Sequence, residues 1–130
     1  MTFTFRFRRW SPALAAALAA GTIYGCASTA PVPVVPSDEK WASERWPGTT
    51  LSDLSHGHDV FISRCSSCHS LPRPDVKSPE EWNTVLDEMA DRAKLSTNDR
   101  ELVNRYLSAA SQRLRARTSA TGIAANSPTL

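Results

Sequence analysis

The chain has 130 residues, with 15 Lys and Arg against 13 Asp and Glu and a formal net charge of +2. Three of the basic residues, Arg6, Arg8 and Arg9, precede every acidic residue, and without them the balance is 12 basic less 13 acidic, or −1. A balance this close to neutral excludes a nucleic-acid-binding function, because binding the phosphate backbone requires a clear excess of positive charge.

The N-terminus predicts an export signal. The three arginines form a positive region, and an apolar run follows from Ser11 to Gly25, about 15 residues long. A helix that spans a bilayer needs about 20 residues, so the run is short for a retained membrane anchor, which is the alternative. We therefore expect residues 1–25 to be a signal peptide.

The sequence IYGC, which ends at Cys26, resembles the lipobox of bacterial lipoproteins, where the cysteine is lipidated and becomes the mature N-terminus. The resemblance implies a lipoprotein held on the periplasmic face of a membrane, and Ala27 is similar to the residue found in lipoproteins sorted to the outer membrane. Cleavage after Ala30 is the alternative and would release a soluble periplasmic protein. Lipidation is favoured because Cys26, unlike the other two cysteines, has no other role.

Residues 26–50 predict a linker. The first part is rich in Pro, Ala and Ser, and an extended chain of about 3 Å per residue could hold a domain tens of ångströms from the lipid. Trp41 and Trp46 follow, and we expect them to pack against the domain; contact with a partner or with the membrane interface is the alternative.

The domain itself is predicted over residues 51–110, a length at which apolar side chains alone rarely form an adequate core. Its first helix runs from about Ser52 to Cys65, with an apolar stripe at helical spacing. Gly57 on this helix would allow close approach of another helix, and Phe61 would pack there. The stripe consists of Leu54, His58, Phe61 and Cys65.

The motif Cys-x-x-Cys-His, formed by Cys65, Cys68 and His69, is the attachment signature of haem c. The two thiols form thioethers with the porphyrin, and the imidazole becomes the proximal ligand of the iron. A zinc site would need further ligands, and no Cys or His follows His69. The motif thus predicts one covalent haem. Pro72 and Pro74 would turn the chain around its edge, and a carbonyl in either region could accept the His69 ring N–H.

Two more helices complete the predicted domain. Ser78, Pro79 and Glu81 predict a capped start of the second helix. Ser96 and Asp99 predict the start of the third. The apolar stripes are Trp82, Val85, Leu86, Met89 and Ala93, then Leu102, Val103, Tyr106, Leu107 and Ala110. With no strand period anywhere, the fold class is all-α: a small three-helix domain around one haem. Residues 111–130 are expected to be a frayed helix end and a disordered tail.

From about Gly57 to Ser108, the sequence with the segments GHDVFISRCSSCHSL, EEWNTVLDEMADRAKLS and ELVNRYLS resembles short monohaem domains of the class I cytochrome c type, found alone or within quinohaemoprotein-type dehydrogenases. The resemblance implies that Phe61, Trp82 and Tyr106 pack on the haem and that Met89 is the distal iron ligand. Met89 is also the only methionine after the signal. A distal His56 or His58 and an open sixth position remain the alternatives.

These features predict a membrane-tethered periplasmic cytochrome c that carries single electrons and is not itself an enzyme, although it could serve as a subunit of a larger oxidoreductase. Its partners would be redox proteins, a periplasmic dehydrogenase or a respiratory complex, docking at the haem edge near Cys65 and Cys68. The alternatives are a five-coordinate haem protein that binds a small ligand or peroxide, and a dithiol or metal-handling protein without haem.

Overall fold

The computed structural model describes residues 31–125, with side chains up to Thr121. In this part of the chain there are four α-helices, and no residue is in a strand, so the all-α prediction is confirmed. The helices are α1 (Pro36–Arg45), α2 (Leu51–Val60), α3 (Pro79–Met89) and α4 (Thr97–Ala125). The predicted signal peptide, the lipidation residue Cys26 and the alternative cleavage residue Ala30 lie outside the described residues.

Helix α4 is the centre of the fold, since α1, α2, α3 and a 3₁₀ turn at Pro74–Val76 all pack against it. Its inward face supplies half of the main core cluster. The buried members of this cluster are Val32, Phe61, Trp82, Leu86, Val103, Tyr106, Leu107 and Ala110. Each of the three predicted apolar stripes therefore contributes residues to this core, although Leu54 of the first stripe belongs to a second, smaller cluster.

The starts of α3 and α4 are fixed by the predicted caps. The Ser78 hydroxyl accepts a hydrogen bond from the Glu81 backbone N–H at 3.3 Å, and the Glu81 carboxylate accepts one from the Ser78 N–H at 2.7 Å. At α4 the Ser96 hydroxyl accepts from the Asp99 N–H at 3.0 Å. These side chains satisfy backbone donors that have no partner within the helix.

The predicted close approach at Gly57 is confirmed. Gly57 is buried where α2 crosses α4, and a Cβ atom placed on it would lie 2.2 Å from the backbone oxygen of Leu102. Beyond this crossing, α2 continues into a π-helical turn, Phe61–Cys65. The turn carries Phe61 into the core and delivers Cys65 to the loop that follows.

The prediction of an extended linker through residue 50 is wrong from Pro36 onwards, where the chain forms α1. The Val35 backbone N–H donates to the Asp38 carboxylate at 3.1 Å, and Asp38 in turn accepts from Arg113 Nε at 2.7 Å. Ala42 on the same helix is fully buried. A buried ion pair with a residue 75 positions away holds this helix, and no local pattern could reveal it.

The expectation that Trp41 and Trp46 pack against the domain is confirmed. Their rings meet edge to face with centroids 6.0 Å apart. They lie against a second, smaller core cluster formed by Ala42, Leu54 and Ala109. This cluster fastens α1 to α2 and α4.

Helix α4 does not fray near residue 110 but continues to Ala125. Ser111 is buried and its hydroxyl donates to the Lys77 carbonyl, while the Arg115 guanidinium donates to the Asp75 carbonyl at 3.2 Å. These contacts carry the helix past the expected end of the domain. Across the described residues, none of the helices combines the length and the apolar character needed to cross a membrane.

Candidate haem site

A cavity of about 290 Å³ lies between the π-helical turn, the loop after it, α3 and α4. Its wall is mostly apolar and brings together six of the predicted site residues: Cys65, Cys68, His69 and Met89, and also Phe61 and Trp82, which were assigned to haem packing. The remaining lining residues are Arg64, Pro72, Val85, Leu86, Arg92, Ala93 and Leu107. The cavity is thus the place where the motif of the loop meets the apolar face of α3.

The two thiols occupy different environments at the rim of this cavity. Cys65 is half-buried at the end of the π-helical turn, and Cys68 is exposed; neither is in a disulfide. Burial raises the pKa of the Cys65 thiol, and the neighbouring Cys68 adds to the effect. The attacking thiol of a reactive dithiol depends on a lowered pKa, and the environment of Cys65 does the opposite.

The imidazole of His69 is oriented by its own loop. The Ser70 carbonyl oxygen lies 2.9 Å from His69 Nδ1 and can only accept, so Nδ1 carries the proton. This tautomer leaves the lone pair of Nε2 free for a metal. The carbonyl that orients the His69 ring is that of Ser70. It is not one near Pro72 or Pro74, as was expected. The Pro74 carbonyl instead accepts the indole N–H of Trp82 at 2.7 Å.

Helix α3 forms the opposite wall. Trp82, Leu86 and Met89 follow one another at helical spacing and all line the cavity. Trp82 and Leu86 are almost fully buried, whereas Met89 is half-buried and lines the same cavity as His69. Phe61 and Leu107 close the inner end. The arrangement offers an imidazole on the loop side and a thioether on the helix side.

Three of the residues predicted for the site, His56, His58 and Tyr106, lie outside the cavity. His56 and His58 do not line the cavity: His56 is 3.0 Å from Asp99 and His58 is 3.0 Å from Asp59. Neither histidine is therefore positioned as a distal ligand.

Tyr106, assigned to haem packing, also does not line the cavity. Its hydroxyl donates to the Val32 carbonyl at 2.7 Å, and its ring packs against Phe61 with centroids 5.9 Å apart. The hydrogen bond to the N-terminal segment thus holds Tyr106 behind the residues that line the cavity. Burial, together with the charge of Asp38, raises the pKa of this phenol well above its usual range.

Two arginines that were not predicted as site residues, Arg64 and Arg92, also line the cavity. Both positions are close to motif residues in the sequence: Arg64 directly precedes Cys65, and Arg92 follows Met89 by three residues, in the turn after α3. Among the residues that the structure describes, no carboxylate lines the cavity. An apolar wall with cations at its edge suits a flat apolar group that bears carboxylates.

These residues fit a haem in every respect that the chemistry of the donors can test. The two thiols of Cys-x-x-Cys-His, a histidine with a free Nε2, a methionine in the same lining and an apolar wall are the features of a c-type cytochrome, a protein that binds haem c covalently and transfers electrons.

A family comparison agrees. The family model of the dihaem cytochrome c family matches residues 61–129, which are 69 of the 130 residues. The chain belongs to the dihaem cytochrome c family. No curated protein and no solved structure matches it. The family's description names two haems, whereas the sequence contains a single Cys-x-x-Cys-His motif.

Proposed function

We propose that the protein is a carrier of single electrons that holds one haem c, with the iron between His69 and Met89. The observation that carries the proposal is the shared cavity: both thiols of the motif, the imidazole and the thioether line the same space of about 290 Å³. Haem iron supplies the one-electron chemistry by alternating between its ferrous and ferric states.

Each residue of the site has a distinct task in this proposal. Cys65 and Cys68 fix the haem to the chain, and the Ser70 carbonyl holds the His69 ring in the tautomer that can bind iron. Met89 would hold the iron together with His69 and would keep small ligands off it. Trp82, Phe61 and Leu86 exclude water from the porphyrin face, and a buried site with a thioether ligand favours the reduced form.

The alternative, a five-coordinate haem that binds a small ligand or reduces peroxide, has less support. Apart from the proposed ligands and the two thiols, the only titratable residues that line the cavity among the described residues are Arg64 and Arg92. General acid–base chemistry at a distal pocket needs a group that exchanges protons near neutral pH. Neither guanidinium does so.

Absorption spectra of the periplasmically expressed protein, oxidised and then reduced, test the ligation. We expect a low-spin haem c with the weak long-wavelength band of a ferric iron–sulfur bond, and loss of that band in Met89→Ala. His58→Ala is the matched control and should leave the spectrum unchanged. Rapid binding of carbon monoxide by the wild-type reduced protein would instead indicate an open sixth position and favour the five-coordinate alternative.

We propose one haem because the sequence contains a single motif, whereas the name of the family indicates two haems. Mass spectrometry of the intact protein decides between them. A mass increase of one haem that disappears in Cys65→Ser/Cys68→Ser supports the proposal. An increase of two haems per chain contradicts it.

We also propose that Cys26 is lipidated and tethers the domain to the periplasmic face of a bacterial membrane. The free tether would be short, because Val32 is already buried in the core and its carbonyl accepts from Tyr106. The six residues from Cys26 to Pro31 are joined by five steps of the backbone and span at most about 18 Å. This distance between the lipid and the domain is shorter than the one that an extended linker to residue 50 would give.

Such a tether keeps the haem close to the lipid surface and favours redox partners that are themselves bound to the membrane. Electron-transfer contacts of this kind are small and transient. Fractionation of cells that express Cys26→Ser tests the anchor: the variant should move to the soluble periplasmic fraction with its haem spectrum intact. If the variant stays with the membranes, the lipid anchor at Cys26 is wrong.

A further inference from the structure

A small cavity, of about 10 Å³, lies between the N-terminal segment and the loop that follows the haem motif. We call this space the seam. Phe61 and Pro72 line both the seam and the haem cavity, so these two residues separate the two spaces. The other residues that line the seam are Pro31, Val32, Leu71, Arg73 and Pro74.

Val32 closes the seam on the side of the N-terminal segment. It is 9% exposed and belongs to the main core cluster, whereas Pro31 beside it is exposed. A buried water needs a space of about 10–15 Å³ and two or more polar partners. The seam is at the lower limit of that size, and its lining is mostly apolar. A smaller side chain in place of Val32 would therefore make room for water next to Phe61 and Pro72.

The backbone of Val32 is held by Tyr106, a residue 74 positions away. The Tyr106 hydroxyl donates to the Val32 carbonyl at 2.7 Å, and the Tyr106 ring packs against Phe61. Burial raises the pKa of this phenol, so the hydroxyl keeps its proton and remains the donor. Tyr106 thus ties the N-terminal segment to a wall residue of the haem cavity.

We propose that Val32, held in place by Tyr106, seals the haem site against water. This role rests on the proposed function, because it concerns water close to a haem iron. A buried site favours the reduced form, and water that enters the seam would stabilise the oxidised form, which carries one more positive charge. Val32 and Tyr106 do not line the haem cavity. They are positioning residues that act through Phe61 and Pro72.

Redox titration of the holoprotein and hydrogen exchange of the Trp82 indole N–H test the proposal. This N–H donates to the carbonyl of Pro74, a residue that lines the seam, so its exchange reports the entry of water. In Val32→Ala we expect the equilibrium between the two haem states to shift about threefold towards the oxidised form, or about 28 mV at 59 mV per tenfold change. The indole N–H of the reduced protein should exchange about tenfold faster.

Three further variants separate the seal from stability in general. Tyr106→Phe keeps the ring on Phe61 but removes the bond to Val32, and it should shift the potential and the exchange rate in the same directions as Val32→Ala. Val32→Ile keeps the seam filled and should retain the wild-type values. Leu54→Val, in the second core cluster and away from both cavities, is the control. It should lower the urea midpoint and change neither quantity.

Wild-type potential and exchange in Val32→Ala and Tyr106→Phe overturn the proposal, and if one of the two fails to fold, the other decides. Equal shifts in Leu54→Val also overturn it, because loss of stability would then be the cause. Failure of the proposed function gives a different result: the wild type lacks haem c or the iron–sulfur band. In that case the exchange rates still show whether Val32 keeps water out of the seam.

Discussion

Gly57 sets the distance between α2 and α4, and with it the position of the turn that carries Cys65. In an isolated helix, Gly→Ala is stabilising by about 1 kcal/mol. At this residue the added Cβ would lie 2.2 Å from the Leu102 backbone oxygen, and a backbone atom in the central helix cannot move aside cheaply. The steric term therefore outweighs the helix propensity.

We predict that Gly57→Ala lowers the free energy of unfolding by about 2 kcal/mol, as overpacked cores do. Urea denaturation of the holoprotein measures it. Ser55→Ala, on the exposed side of the same helix, is the control and should stay within about 0.5 kcal/mol of the wild type. A Gly57→Ala protein as stable as the control would mean that α2 and α4 do not cross this closely.

At the scale of the elements, the capping box of α3 links stability to pH. The Ser78 backbone N–H, as the largest cause, lowers the pKa of Glu81 from its ordinary value of 4.5. A lowered pKa in the folded state gives stability that is present above the ordinary value and is lost as the pH falls through the folded one. Thr50 lowers the pKa of Asp53 at the start of α2 in the same way.

We therefore predict that Glu81→Gln is less stable than the wild type near neutral pH and that the difference shrinks below about pH 4. Urea midpoints measured across this range give the result. Glu80→Gln removes the same charge from the same helical turn without a bond to Ser78 and serves as the control. A gap between wild type and Glu81→Gln that is constant with pH would contradict the prediction.

The elements differ in how far the sequence could predict them. The starts of α3 and α4 were predictable because Ser78 and Ser96 act on backbone groups three residues away. Helix α1 was not, because it depends on Arg113, which is distant in sequence. In the site, the Cys-x-x-Cys-His spacing alone was enough to predict that Cys65, Cys68 and His69 act together.

Other parts of the site required the fold. The wall formed by Leu107 depends on how α4 packs, and the displacement of Tyr106 from the wall depends on a contact with Val32. Contacts between residues that are far apart in the chain leave no local pattern. The roles of the two thiols, His69 and Met89 as haem ligands stay predictions that the spectra will test.

For the whole molecule, the ion pair between Asp38 and Arg113 joins the N-terminal segment to the central helix. Asp38 is 2% exposed, and its carboxylate accepts from Arg113 Nε at 2.7 Å and from Nη2 at 3.2 Å. Arg113 also donates to the Pro33 carbonyl at 3.0 Å. The Arg113 guanidinium thus binds both the start of α1 and the extended segment before it, which leads to the proposed tether.

We predict that Asp38→Asn lowers the free energy of unfolding by about 3 kcal/mol, because it leaves a largely buried guanidinium without its counter-charge. The double variant Asp38→Asn/Arg113→Met should recover part of this loss, since it also removes the unpaired charge. The haem spectrum should stay unchanged in both, because neither residue lines the cavity. Urea denaturation with limited proteolysis measures the effect: in Asp38→Asn alone, cleavage should concentrate in residues 31–46. Equal stability and equal protease resistance of Asp38→Asn and wild type would mean that α1 is held by its apolar contacts with α2 and α4 alone.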